Sequence, residues 1–480
     1  MPTPPLRFEA SIDALRPAFD DIRRELEIDV GFPPAASLEA EAVARSGPRI
    51  SGHVDRRSLD LISIDPEGAR DLDQAVHIER ARDGYTVHYA IADVAAFVAP
   101  GGAVDAAARA RGLTVYLPDV RAPLHPPVLS EGAASLLPDV DRVALLWRFH
   151  LDASGEVSAV DVERALVRNR RAWSYDDAQR AVDGDVTDAD PTLALLAEIG
   201  PKRLQLEADR GGVSLDVPEQ VVEADDGHFG LAFRAPLPVE YWNAQISLMT
   251  GMVAAQLMLD AGVGILRTLP PAADDDVDVL RRHARALGID WPRPTTYAEL
   301  IRSLDAGRPA HAALLAQAAR LFRGAGYVAF DETAGAPIPS DPRHAAVAAP
   351  YAHVTAPLRR LVDRFANEIV LAVVRGEEPP AWARNALPDL PAAMAEARRR
   401  EGAADGRAAD LVEAAVLSGR VGDVLDAVVV RSHRKGLQVQ ITDPAVVATV
   451  DGKADLGDEV RVRVEGADPE RRRVDLAIVS

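Results

Sequence analysis

Between Leu59 and Ile91 the chain alternates apolar and polar residues in three short runs, and this stretch limits the possible folds more than any other. Leu59-Asp-Leu-Ile-Ser-Ile64 reads as one strand and Gln74-Ala-Val-His-Ile78 as the next. The Arg82-Asp-Gly turn leads into Tyr85-Thr-Val-His-Tyr-Ala-Ile91, so the second and third runs form a β-hairpin. The first and second runs are joined by Asp65-Pro-Glu-Gly-Ala-Arg-Asp71-Leu-Asp73. In this reading Asp65 closes one strand, while Asp71 and Asp73 open the next on one face. Carboxylates gathered across so tight a loop repel one another by several kcal/mol at low dielectric, and a divalent cation is their natural neutraliser. The bland alternative is a solvated acidic turn. An EF-hand is excluded, because the alternating ligands, central Gly and terminal Glu are absent.

Composition narrows the chemistry. There is no cysteine, which removes disulfides, thiolate zinc sites and cysteine nucleophiles together. A catalytic metal must then rest on Asp, Glu or His, which favours Mg²⁺, with Mn²⁺ as a substitute. The net charge of −20 argues at face value against a nucleic-acid partner, although a buried channel can be locally positive in an acidic protein. No apolar run approaches the ~18 residues of a membrane span, and Met1-Pro-Thr-Pro-Pro-Leu-Arg-Phe lacks the layout of a signal peptide. A cytoplasmic chain with no membrane partner is the expectation.

At 480 residues the chain exceeds one compact domain. Residues 1–50 read as a helical N-terminal segment, with Ile12, Leu15, Phe19, Ile22 and Leu26 at helical spacing. That segment leaves no room for an added RNA-binding barrel. Strands and helices mix through a body spanning 51–375, which includes a helix from Trp242 to Ala261 stopped by Gly262. Residues 376–417 are a Pro-rich linker followed by a helix. The tail, 418–480, reads as five strands (Val424–Val430, Gly436–Ile441, Ala445–Val450, Glu459–Val464 and Arg473–Ile478) with nearly balanced charge, the pattern of a small OB-type barrel. The fold class is α+β.

The Ile-Asp-(x)5-Asp-x-Asp segment, followed by His88-Tyr-Ala-Ile-Ala-Asp93-Val, resembles the signature of the RNB exoribonucleases of the ribonuclease II and ribonuclease R type. The resemblance continues through Val115-Tyr116-Leu-Pro118, Ser174-Tyr175-Asp176 and Tyr351-Ala-His353-Val-Thr355-Ala-Pro357-Leu-Arg359-Arg360. It covers roughly residues 50–375, and the tail is similar to the RNA-binding barrel that follows in that family. It implies a short form without N-terminal cold-shock-type barrels. The implied activity is hydrolytic 3′→5′ degradation of single-stranded RNA to nucleoside 5′-monophosphates.

Position by position, the resemblance assigns Asp65, Asp71 and Asp73 to metal binding, with Asp73 the most important for catalysis. The family's fourth aspartate falls on Gln74, whose carbonyl oxygen is expected to be a weak, neutral ligand. Asn243 and Gln245 stand where the family usually has Glu. Tyr116 matches the family's aromatic that stacks on a base near the RNA 3′ end, and Tyr175 one near the ribose in the path. A helix capped by Thr355 or Ala356, with Pro357 in its first turn, would place Arg359 and Arg360 beside free backbone N–H groups as a phosphate site. Arg359 is then the transition-state stabiliser, and His353 a histidine that holds the loop. Two other readings stand beside this one: an RNB fold that binds RNA without cutting it, because of Gln74, and a 3′ nuclease that also accepts DNA.

Overall fold

The computed structural model describes residues 10–50, 52–186, 190–214, 219–225, 228–305, 307–433, 436–441 and 443–479. Its centre is a sheet in which Leu61–Asp65 lies parallel to Val157–Ser174 and antiparallel to Gln74–Ala81. Gln74–Ala81 pairs with Gly84–Ala92, which pairs with Asp141–Asp152. That last strand returns to Val157–Ser174, so the sheet closes on itself. The hairpin at Arg82-Asp83 forms as its sequence predicts, with Ala81 opposite Gly84. Gly84 is required there, since a Cβ would lie 2.0 Å from the carbonyl oxygen of Leu151 on the next strand.

Alternation along these strands sorts side chains by size. Ile62, Ile64, Val76, Ile78, Val87, Tyr89 and Ile91 face one core, shared with the helices Pro238–Ala261 and Leu361–Val374. Leu61, Ala75, Ala90, Ala92 and Ala144 face a second. The helix Pro238–Ala261 starts before the predicted Trp242, because Pro238 suits a first turn and Glu240 accepts the Leu237 amide at 2.8 Å. It stops as predicted at Gly262, in the left-handed conformation.

The N-terminal segment forms two helices, Ile12–Glu25 and Pro34–Ser46, with Pro34 opening the second. Leu15, Phe19, Ile22 and Leu26 are buried against Ala404, Ala408, Leu411 and Val412 of the long helix Leu390–Ser418. The tail forms a closed five-stranded barrel. Its strands are Val424–His433, Gly436–Ile441, Val446–Asp451, Glu459–Asp468 and Arg473–Val479, each within a few residues of its predicted limits. No helix among the described residues is long and apolar enough to cross a membrane.

The long helix joins body to barrel through a buried carboxylate. Glu413 accepts from the barrel amide of Val447 at 2.9 Å and from the Gln220 side chain at 2.7 Å, and that side chain also donates to the Ala445 carbonyl. Burial pushes Glu413 up to about 7, against these hydrogen bonds. A folded pKa above the unfolded one means the ionised form disfavours folding. The penalty is absent well below the unfolded value and complete once pH passes the folded one. Glu413→Gln keeps the acceptor without the charge, so its melting temperature should exceed that of the parent at pH 8 and match it near pH 4. Thermal unfolding at both values checks this.

Candidate active site

The acidic loop takes its shape from Leu72. That side chain is buried in the second core. Its amide donates to Ser135 Oγ at 2.9 Å, its carbonyl accepts from the Leu136 amide at 3.0 Å, and Ser135 Oγ donates to the Arg70 carbonyl at 2.6 Å. With Leu72 pointing inward, Asp71 and Asp73 on either side of it line a cleft of about 450 Å³ with Asp65 and Arg359. Both aspartates lie just before the strand, which begins at Gln74, so they do not open it as predicted. Asp65 ends its strand in register with Ser174, which caps the helix Tyr175–Val182 by accepting the Asp177 amide at 3.0 Å. That register brings Tyr175 to the cleft wall beside Asp65.

Asp73 lies at the cleft floor, 3% exposed. One carboxylate oxygen accepts the Leu358 amide at 2.7 Å, and the other sits 3.2 Å from Arg359 Nε. Burial outweighs both partners and pushes its pKa up to about 8. Burial likewise pushes Asp65 up to about 6, opposed by Arg359 and reinforced by Asp71. Asp71 has side-chain partners of its own: Tyr116 Oη donates to it at 2.6 Å and Arg121 Nη1 at 3.0 Å. Tyr116 and Arg121 are opposite residues of a two-residue ladder, which puts them on one face toward Asp71. Arg121 escaped the sequence reading because its partner is fifty residues away.

Arg359 comes from a loop rather than a helix. The helix begins at Leu361, so Arg359 and Arg360 precede it instead of occupying its first turn. Asp363 organises the loop by accepting the Ala356 amide at 2.7 Å and the Nη2 and Nε edge of the Arg360 guanidinium at 2.8 and 2.9 Å. Arg360 is thereby committed to the scaffold and does not line the cleft. The Arg359 carbonyl accepts the Thr114 amide at 3.0 Å, while its side chain stays 47% exposed toward the cleft. Burial works against the Arg359 cation, but Asp73, Tyr116 and Asp363 together outweigh it and hold the guanidinium above its ordinary value. His353 holds the loop as expected, with Nδ1 2.7 Å from Tyr327 Oη, and burial drives its pKa far down.

Gln74 does not face the cleft. Its amide nitrogen donates to the Thr355 carbonyl at 2.6 Å and its carbonyl oxygen accepts from Tyr89 Oη at 2.9 Å, so both ends tie the strand to the Arg359 loop. Gln74 is absent from the cleft lining, and the oxygen expected as a weak ligand is engaged by Tyr89 instead. Asn243 reaches the Ile64 carbonyl at 3.2 Å, whereas Gln245 is buried on Glu207. Two arginine-rich runs of the sequence, 168–171 and 398–400, are mostly paired, with Arg168 on Asp141, Arg398 on Glu401 and Arg399 on Glu396.

Residues 53–376 match the RNB domain family. The chain belongs to that family. Residues 423–479 match the RNase II-type exonuclease C-terminal S1 domain, which agrees with the closed barrel. This RNB chain is 27% identical to ribonuclease R of Aquifex aeolicus, over 96% of its own length and 70% of the relative's. To ribonuclease R of Escherichia coli it is 26% identical, again over 96% of its length, but spans 62% of that relative. Its fold superposes on Mycoplasma genitalium RNase R in complex with ribose methylated single-stranded RNA with a TM-score of 0.85 at 16% identity, covering 96% of this chain and 78% of that one.

Among the described residues no three His, Asp or Glu side chains converge closely enough to hold a metal ion. The donor chemistry nevertheless fits a hard cation. Asp65, half-buried, and Asp73, buried, are oxygen donors facing one cleft, with Arg359 as their shared counter-charge. Gln74 stands outside this set. Gln74→Asp loses the donor to Thr355, so the RNB domain should be destabilised by about 1–2 kcal/mol. The Mg²⁺ concentration for half-maximal activity should stay unchanged. Denaturant unfolding with a magnesium titration tests both, and a lowered metal midpoint at unchanged stability would return Gln74 to the ligand set.

Proposed function

We propose that this RNB protein is a hydrolytic 3′→5′ exoribonuclease acting on single-stranded RNA and releasing nucleoside 5′-monophosphates. The observation that carries the reading is one cleft in which Asp65, Asp71 and Asp73 face Arg359, with Tyr116 and Tyr175 on its walls. Tyr116, 43% exposed, and Tyr175 offer aromatic faces to the terminal nucleotides, and such stacking contributes about 1–3 kcal/mol per base without regard to sequence. Arg359 is positioned to exchange Asp73 for a non-bridging phosphate oxygen and to stabilise the charge that grows there. A water oxygen attacks the last phosphorus, the bond to the preceding O3′ breaks, and that oxygen takes a proton as the new 3′ end.

Asp65 and Asp73 would hold Mg²⁺, or Mn²⁺ in its place, with Asp71 close by. The ion supplies Lewis-acid polarisation of the phosphate and an acidified water. Body residues 51–375 perform the chemistry in this proposal. The linker and helix of 376–417 join them to barrel residues 418–480, which grip the RNA, in a protein that works in the cytoplasm. The reading of an RNA binder that does not cut rested on Gln74. With Gln74 committed to the scaffold, the three aspartates facing Arg359 favour the enzyme.

RNA labelled at its 5′ end, resolved at nucleotide level, should shorten from the 3′ end with Mg²⁺ or Mn²⁺ and stay intact with EDTA. Asp73→Asn should retain RNA binding while hydrolysis falls by on the order of a thousandfold, the equivalent of about 4 kcal/mol. Intact RNA across both metal titrations sinks the enzyme reading. Full activity in the variant moves the chemistry elsewhere.

A further inference from the structure

A second cleft, far in sequence from the first, gathers positive charge. In a chain of net charge −20, Arg281, Arg282, Arg285 and Arg293 border one opening of about 920 Å³. The first three lie on the helix Asp274–Ala286, and Arg293 follows the turn that ends it. Asp278 and Asp290 border the same opening. Among the described residues, though, none of the four arginines is within ion-pairing distance of a carboxylate. Trp291 is fixed by donating its indole N–H to the Thr295 carbonyl at 2.8 Å, and the Arg281 guanidinium sits 4.2 Å from the centre of its ring. That contact orders one cation in advance and lowers the entropy it would lose on meeting an anion.

The positive charge continues toward the barrel. Next to Arg282, His283 senses Arg320, and Arg431 on the first barrel strand senses Arg320 and Arg323. His283 Nδ1, Arg320 Nε and Arg431 Nε are all buried without a hydrogen-bond partner. Gln317 Nε2 donates to the Val430 carbonyl at 2.6 Å, which fastens this helical unit to the barrel. Unpaired like charges held together cost free energy unless an anion offsets them. A run of guanidiniums beside a nucleic-acid-type barrel complements the charge of a polyphosphate strand.

We infer that the cleft formed by Arg281, Arg282, Arg285 and Arg293 binds the phosphodiester backbone of single-stranded RNA away from the cleavage site. The inference rests on the proposed action on RNA. A long substrate would lie with its 3′ end at Asp73 and its upstream phosphates on these arginines, while a short one would reach only the first cleft.

The test is the full-length triple variant Arg282→Gln/Arg285→Gln/Arg293→Gln, compared with the parent across a salt series. Its Kd for long single-stranded RNA should rise about tenfold, and the slope of log K against log salt should shrink by about two, as for three lost phosphate contacts on a single strand. kcat and KM on a short oligonucleotide should not change. The matching triple Arg→Lys variant should recover most of the salt slope. Unchanged affinity and slope for long RNA, or equal weakening for long and short RNA, would overturn the inference. So would loss of binding to inorganic phosphate alone, or to an acidic peptide but not RNA. If the parent binds no RNA, the functional reading falls with it. If the parent binds and cuts while the triple variant matches it, only this cleft is refuted.

Discussion

The rest of the structure is arranged around the electrostatics of Asp73. A carboxylate removed from water needs charge or hydrogen-bond donors close by, and burial still holds this one up near 8 despite the Leu358 amide and Arg359. The arrangement survives only if two loops distant in sequence keep their positions. Leu72 and Ser135 lock the acidic loop, and Asp363 locks the loop that carries Arg359. Gln74 and Tyr89 then bind the two loops together. The large apolar face of the sheet and the helices Pro238–Ala261 and Leu361–Val374 give this frame its rigidity.

Charge is organised on the same plan at larger scale. Most surface arginines are spent on carboxylates, as at Arg168, Arg398 and Arg399. Those few exposed pairs contribute little to stability. Two clefts depart from that pattern: in the first Arg359 faces three aspartates and pairs with Asp73 alone, and in the second the arginines around Trp291 have no carboxylate partner among the described residues. A net acidic protein can therefore offer a polyanion a path, because local fields rather than total charge govern attraction at short range.

Local patterns were the legible part of the sequence. The hairpin around Arg82-Asp83, the five barrel strands and the stop at Gly262 all follow from alternation and turn chemistry within a few residues. The acidic loop was legible as a cluster, and the cleft does unite Asp65, Asp71 and Asp73 with Arg359. What escaped depends on partners distant in sequence. Pro357 signals a helix start, but Asp363 captures Arg360 and the Ala356 amide and delays the helix to Leu361. Gln74 enters the ligand set through the resemblance alone, and nothing nearby in sequence announces Thr355 or Tyr89 as its partners. Arg121 and the second cleft carried no signal beyond arginine itself.

The central claim is that Asp65 and Asp73 share a cation opposite Arg359 when RNA is in place. Anomalous diffraction from crystals grown with Mn²⁺ and a cleavage-resistant RNA addresses it directly. The account predicts a manganese peak within coordination distance of both carboxylates, with Arg359 turned from Asp73 onto the terminal phosphate. RNA seated in the cleft with no manganese there, or with the metal held by residues other than Asp65 and Asp73, would contradict it.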